Sequence, residues 1–199
     1  MGYIAVASGL FDVVVACGVE KMTDAPADET TTALMAAADS LYELEHGLSF
    51  VALNALLMRR YMHEYGYRRE DFAGFAVNAH RNAVHNPCAM FQREISPRAY
   101  AEARMIADPV SLLDSSAIAD GAAAVVLAPT AFAVAHDLTA VEIVGAAIGT
   151  DSVALHDRRD PLTLESARIS ARRACAQAGL GCEDVDLFEL HDAFTIMAA

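Results

Sequence analysis

The short segment His191-Asp192-Ala193-Phe194 is the strongest candidate for chemistry in this sequence. It follows a strand predicted over residues 185–190 and precedes an apolar helix start. This order predicts that His191 lies at the carboxyl end of a sheet strand, where α/β folds bind ligands. An imidazole fixed there can donate a hydrogen bond to an oxygen that gains negative charge during a reaction. The alternative is a core or capping histidine, with Asp192 as a helix-start acid or as the residue that orients the ring.

The cysteines and the other histidines give weaker signals. The four cysteines are Cys17, Cys88, Cys175 and Cys182, and their spacing shows neither a CxxC pair nor a zinc site. We therefore expect a reduced, intracellular and cytoplasmic protein, in which Cys17 is a small core residue in the middle of a strand. A metal site is not expected, because residues 80 and 85 do not share a helix face and no carboxylate completes a ligand set.

Composition and charge exclude several classes of protein. The 199 residues are 55% hydrophobic and 21% charged, which suffices for one full domain or parts of two and excludes a disordered or fibrous chain. The formal net charge of -13 and the lack of a long basic run argue against a nucleic-acid partner. The apolar runs are far shorter than the roughly 20 residues that cross a bilayer, so a membrane span is not expected.

The elements that position these residues follow from apolar periodicity and capping residues. Residues 11–19 form a run that is apolar apart from Asp12, which predicts a strand buried on both faces. Residues 24–32 are polar and predict a loop. Helical periodicity follows in three segments: 33–45, 49–65 and 70–86. Ser96 and Pro97 predict the cap and first turn of a further short helix.

The second half of the chain predicts an alternation of strands and helices. The strands are predicted over residues 121–127, 141–148 and 185–190. Alternation of this kind is typical of a parallel sheet covered by helices. The sequence thus predicts a layered α/β fold with a mostly parallel sheet, into which residues 24–108 are inserted as a mainly helical segment.

The two ends of the sequence lack boundary signals. Met1 is followed at once by residues typical of the last turns of a helix that stops at Gly9, without a signal peptide. At the other end, an apolar helix begins after Phe194 and breaks off at Ala199. We therefore expect this chain to be an internal piece of a longer protein.

Four segments together resemble the thiolase superfamily, and they occur in the family's order. They are Gly18-Val19-Glu20-Lys21-Met22-Thr23, Asn78-Ala79-His80-Arg81-Asn82-Ala83 with Asn86-Pro87, Asp120-Gly121-Ala122-Ala123-Ala124, and His191-Asp192-Ala193-Phe194. The second and fourth resemble the sterol-carrier-protein-type thiolases, which include archaeal acetyl-CoA acetyltransferases. Other thiolases have an Asn-Glu-Ala-Phe type segment in the fourth place. The resemblance covers essentially the whole chain, whereas a family member is about twice as long.

The resemblance also divides the chain into parts of two domains. It assigns residues 1–23 to the N-terminal thiolase domain, 24–108 to a helical loop insertion that forms a cap, 109–137 to the end of the N-terminal domain, and 138–199 to the start of the C-terminal domain. The fold that it implies is an incomplete thiolase-like layered α/β fold.

Two residues receive roles from the resemblance. His191 corresponds to a residue that helps to form an oxyanion hole, and Ser116 to a serine that contacts the pantetheine arm of coenzyme A. Ala117 and Ala119 depart from the family's usual Ser-Pro-Ile-Ser/Thr pattern. A turn or helix-cap role for Ser116 is therefore an equally good interpretation. The family's nucleophilic cysteine and its Gly-His-Pro and Cys-x-Gly-Gly-Gly segments are expected outside these residues. The resemblance implies no cofactor other than the coenzyme A thioester that serves as substrate.

Three functions are compatible with these residues. The first is an acyl-CoA acyltransferase that condenses or cleaves 3-ketoacyl-CoA by a covalent acyl-cysteine route, as a homodimer or higher oligomer when full-length, and inactive as this piece alone. The second is a retro-aldolase of the same fold that acts on steroid side-chain CoA esters without the cysteine. The third is a non-catalytic subunit that scaffolds a small zinc-ribbon and OB-fold acyl-CoA-binding partner.

Overall fold

The computed structural model describes residues 1–199, apart from the side chain of Cys182. These residues form two compact units that each combine distant parts of the chain. The first unit comprises Met1–Asp24, Ala119–Thr150 and Leu164–Leu187, and the second comprises Ala25–Ile118, Asp151–Thr163 and Phe188–Ala199. Among the described residues, the helices fall short of the length and apolar character that a bilayer crossing needs.

The first unit contains a two-stranded antiparallel sheet. Strands β1 (Val14–Glu20) and β4 (Gly121–Leu127) pair along their whole length, with Val14 opposite Leu127. Helix α1 (Gly2–Ala7) packs on this pair closely enough that a Cβ at Gly2 would lie 2.6 Å from Leu127 Cδ1. The strands predicted over 11–19 and 121–127 are thus confirmed.

The predicted burial of the first strand on both faces is wrong. Val15 and Val19 are 63% and 80% exposed, and Cys17 is also exposed rather than a core residue. Branched side chains favour a pleated backbone whatever covers them, whereas burial needs a packed layer on each face. The composition of the run therefore predicted the strand correctly and its environment incorrectly.

The mostly parallel sheet is not confirmed. Both sheets formed by the described residues are antiparallel pairs, and residues 141–148 and 185–190 form no strand in this part of the chain. Apolar side chains can line a sheet face, but a strand also needs a neighbouring backbone that completes its hydrogen bonds. The sequence of a single segment does not reveal whether such a neighbour exists.

The segment of residues 141–148 contacts a helix instead. Helix α7 (Glu165–Ala178) follows α6 (Thr130–Ala135) in this unit, and its Gln177 side chain accepts a hydrogen bond from the Ala146 amide at 3.0 Å. Gly145 permits this approach, because a Cβ there would lie 2.2 Å from the carbonyl oxygen of Ala174. The Gln177 side chain thus accepts the hydrogen bond of the Ala146 amide, which a neighbouring strand was expected to accept.

The second unit is mainly helical and surrounds one apolar core. Its helices are α2 (Ala27–Met35), α3 (Phe50–Tyr65), α4 (Ala73–Ala83), α5 (Pro97–Ala101) and α8 (Thr195–Ala198). Strands β2 (Met105–Ala107) and β3 (Val110–Ser111) form a short hairpin. Met58, Tyr100 and Val110 are fully buried in this core, and Phe194 and Ile196 join it from the carboxyl end of the chain.

Capping residues explain which predicted helices of this unit are confirmed. The Ser49 side chain accepts a hydrogen bond from the Ala52 amide at 3.3 Å, and Gly66 ends α3 with a left-handed φ of 72°. Ser96 likewise accepts from the Ala99 amide at 3.1 Å at the start of α5.

The loop predicted over residues 24–32 and the helix predicted over 33–45 are wrong. Helix α2 begins at Ala27, directly after Pro26, and ends at Met35. Its first turn carries Asp28 and Glu29, where acidic side chains favour a helix start. Thr31 donates its hydroxyl hydrogen to the Ala27 carbonyl, so this polar run satisfies its own side chains within a helix.

Candidate functional site

The structure brings together the two segments that carry the predicted site residues. Ser115 and Phe194 form an isolated antiparallel bridge, and the Ser116 amide donates a hydrogen bond to the Ala193 carbonyl at 2.8 Å. Both segments belong to the second unit. Ser116 and His191 therefore lie on neighbouring stretches of backbone, although they are far apart in the sequence.

A buried carboxylate lies next to this bridge. Asp114 is 2% exposed, and its oxygens accept hydrogen bonds from the Ser111 amide at 2.8 Å and the Ser111 hydroxyl at 2.7 Å. The Thr195 hydroxyl donates to the same carboxylate at 2.6 Å, and the Tyr100 hydroxyl also donates to it. Four donors thus satisfy one buried charge, as a charge removed from water requires.

Arg69 completes this cluster from the other side. Its guanidinium lies 4.7 Å from the centre of the Tyr100 ring and donates to the Tyr100 carbonyl at 2.8 Å. One of its nitrogens lies 3.9 Å from an oxygen of Asp114. Burial, and secondly the hydrogen bond to Asp114, raise the pKa of the Tyr100 hydroxyl above its ordinary range. This hydroxyl therefore stays protonated and acts as a donor.

The sequence contains only a partial signal for this cluster. Ser111 and Asp114 have the spacing of a capping box, and the structure shows both of its hydrogen bonds. That pattern could have indicated the local pair. Tyr100 and Thr195 could not have been found in this way, because both contact Asp114 through the tertiary fold.

His191 is exposed, and the strand expected to precede it is absent from the described residues. A groove of about 790 Å³ lies beside its segment in the second unit. One wall carries Asn78 and Asn82 on one face of α4, and Asn86 in the turn that follows this helix. The opposite wall includes Leu190 and Asp192 but not His191 itself.

Asp192 is not the cap of the following helix. The N-cap of α8 is Phe194, and no side chain caps it among the described residues. Asp192 instead lines the groove. Its predicted alternative role, orientation of the His191 ring, stays a prediction.

A second carboxylate organises the first unit. Asp120 precedes β4 and accepts hydrogen bonds from the Met22 amide at 2.9 Å, the Thr23 amide at 3.0 Å and the Thr23 hydroxyl at 2.6 Å. Lys21 approaches it at 3.4 Å. These bonds, that from the Thr23 hydroxyl first, lower the pKa of Asp120 to about 2. This contact therefore joins two of the four segments that resemble thiolases, residues 18–23 and residues 120–124.

No group of three or more metal-binding side chains occurs among the residues that the structure describes.

Two protein-family models match the sequence of this chain. The family model of the thiolase N-terminal domain matches residues 1–131, and that of the thiolase C-terminal domain-like family matches residues 147–199. The chain belongs to the thiolase family. Its resemblance to sterol-carrier-protein-type and archaeal thiolases is confirmed by the relatives described next.

Acetyl-CoA acetyltransferase of Methanothermobacter thermautotrophicus is 43% identical over 195 residues, which cover 98% of this chain and 50% of that protein. Sterol carrier protein 2 of Bos taurus is 31% identical over 199 residues, which cover 94% of this chain and 37% of that protein. The solved structure of the Ltp2-ChsH2(DUF35) aldolase is 32% identical with a TM-score of 0.81, over 98% of this chain and 52% of that one. The fold of this thiolase chain is therefore thiolase-like, and the chain spans about half the length, or less, of these relatives.

Proposed function

We propose that the full-length protein is a thiolase-type acyl-CoA acyltransferase that condenses or cleaves 3-ketoacyl-CoA thioesters. The observation that carries the proposal is the pairing of residues 115–116 with 193–194, which gathers Ser116 and the His191 segment at one place. The 43% identity to an acetyl-CoA acetyltransferase supports the same chemistry.

The proposed roles follow from the charge that this chemistry creates. Cleavage or condensation of a thioester places negative charge on its carbonyl oxygen, and a fixed donor at that oxygen lowers the barrier. We assign this donor to the exposed imidazole of His191. The Ser116 hydroxyl contacts the pantetheine arm of the substrate. The acyl group is carried by a cysteine of the full-length protein, and no cysteine of this chain is assigned that role.

Acetoacetyl-CoA thiolysis by the full-length protein tests the proposal. Substitution of His191 by Ala removes one oxyanion donor and should lower the rate by roughly 100- to 1000-fold. His63→Ala is the matched control, because His63 lies on an exposed part of α3 and its loss should leave the rate unchanged. An unaltered rate in the His191 variant would remove this residue from the site.

The 199-residue chain by itself provides a separate test. We expect no thiolysis without another polypeptide, because the nucleophile is assigned to none of its residues. Turnover of acetoacetyl-CoA by the isolated chain would refute this assignment.

A retro-aldolase is the second candidate, and the similarity to the Ltp2-ChsH2(DUF35) aldolase favours it. Such an enzyme would cleave a steroid side-chain CoA ester that carries a hydroxyl group and would leave acetoacetyl-CoA intact. Assay of both substrates with the same preparation of full-length protein separates the two reactions. Cleavage of the hydroxylated ester alone would replace the acyltransferase proposal.

A further inference from the structure

The Asp114 carboxylate connects the two segments that carry the candidate site residues. It precedes Ser116 by two positions, and its partner Thr195 follows His191 by four. The Thr195 hydroxyl donates to Asp114 Oδ1 at 2.6 Å, and the two residues are 6% and 2% exposed. This contact therefore joins the segments in the interior, next to the backbone bridge between Ser115 and Phe194.

The other donors hold the carboxylate itself in place. Both Ser111 hydrogen bonds reach Asp114 Oδ2, and the Tyr100 hydroxyl donates to Oδ1. A buried carboxylate with satisfied oxygens forms strong and directional hydrogen bonds, because water does not compete for them. Asp114 is consequently a fixed point to which Thr195, the first residue of α8, is attached.

The backbone on the His191 side has few other attachments of this kind. Helix α8 has four residues and no side-chain cap among the described residues. A helix of one turn gains little stability from its own hydrogen bonds, so its position depends on tertiary contacts. Among the described residues, its tertiary contacts include the apolar packing of Phe194 and Ile196, the Ser116–Ala193 hydrogen bond and the Thr195–Asp114 hydrogen bond. Of these, only the last is both polar and buried.

We propose that Asp114 is a positioning residue: through the Thr195 hydroxyl, its buried carboxylate fixes the segment that carries His191 against the segment that carries Ser116. Asp114 does not touch the substrate in this arrangement. Its effect on catalysis rests on the proposed function of His191, whereas its effect on the backbone does not. The two effects can therefore be measured separately.

Thr195→Val in the full-length protein is the decisive variant, because valine keeps the branched shape and loses only the hydroxyl. We expect the Ser116 amide to exchange its hydrogen about tenfold faster, since the bonds that align it with Ala193 are weakened. The Ser111 amide, which is bonded to the other oxygen of Asp114, should keep its exchange rate.

Thiolysis kinetics of the same variant test the catalytic part. We expect kcat to fall by about 10- to 100-fold, the factor that loss of one hydrogen bond to a charged group produces. KM should change by less than about twofold, because the oxyanion donor acts in the transition state. Thr195→Ser restores the hydroxyl and should restore kcat. Thr163→Val removes an exposed Thr–Asp hydrogen bond of the same unit and should change neither kcat nor exchange at Ser116.

The outcomes separate this inference from the proposed function. Unchanged exchange at Ser116 in Thr195→Val overturns the inference, whatever the activity. Faster exchange with unchanged kcat in an active parent also overturns it, because the contact would then not serve the site. If the parent has no thiolysis activity but Ser116 exchanges faster in Thr195→Val, the positioning contact is supported and only the proposed function is refuted. If Thr195→Val does not fold, Asp114→Asn, which keeps an oxygen for Ser111, is judged by the same criteria.

Discussion

Replacement of Tyr100 by Phe removes one hydroxyl from the core of the second unit and keeps the ring. The side chain of Tyr100 is fully buried, and its hydroxyl donates to Asp114. The ring also supports the Arg69 guanidinium at 4.7 Å, and phenylalanine preserves this stacking. The substitution therefore isolates the hydroxyl's contribution to the stability of the unit.

The magnitude follows from what remains around Asp114. A hydrogen bond to a charged group contributes about 1.5–3 kcal/mol. Three other donors, two from Ser111 and one from Thr195, stay in place, so the carboxylate is not left unpaired. We therefore expect the lower end, about 1.5–2 kcal/mol of unfolding free energy. For a chain of this size, that corresponds to a Tm lower by roughly 3–8 °C.

Thermal unfolding followed by far-UV circular dichroism measures this loss directly. Tyr65→Phe is the matched control, because Tyr65 lies at the end of α3 in the same unit and is 55% exposed. Its substitution should change stability by less than about 0.5 kcal/mol. Equal shifts in the two variants would refute the view that the Asp114 cluster stabilises the core.

Two further predictions concern the backbone and acid stability. Hydrogen bonds lower the pKa of Asp120 from its ordinary 3.8 to about 2, so the stability that it contributes is present above pH 3.8 and is lost as the pH falls towards 2. Asp120→Asn removes this titration, so the urea unfolding midpoint should fall less steeply between pH 5 and pH 2 than in the parent. An unchanged dependence of the midpoint on pH would contradict this reasoning. Gly66→Ala places a side chain at a φ of 72° and should cost about 1 kcal/mol, whereas Gly74→Ala within α4 should gain about 0.5 kcal/mol. Urea unfolding of both variants checks the opposite signs, and a loss of stability in both would argue against them.

Local signals predicted those elements whose ends are determined by nearby residues. Helix α3 is bounded by Ser49 and Gly66, and α5 begins with Ser96 and Pro97. Strands β1 and β4 follow from uninterrupted apolar runs. Sheet direction and burial were not predictable, because they depend on which segments become neighbours in the fold. The hairpin of β2 and β3 is too short to show a pattern of alternation.

The candidate site likewise has one part that local sequence predicts and another that depends on the tertiary fold. His191 and Ser116 are candidates because His191 belongs to a recognisable short motif and Ser116 lies five residues before Gly121 of another. The contact between Asp114 and Thr195 spans 81 residues of sequence, and no local pattern connects them. The segment of residues 78–83 is recognisable from its sequence, but its place in the wall of a groove depends on the opposite segment.

The sharing of one carboxylate by several donors links the evolution of distant positions. A change at residue 114 alters the surroundings of residues 100, 111 and 195 at once, so the effect of a second change there depends on the first. Such positions are epistatic. Homologous sequences that lack the acid at 114 should therefore also lack at least one of the hydroxyl groups that bond to it here.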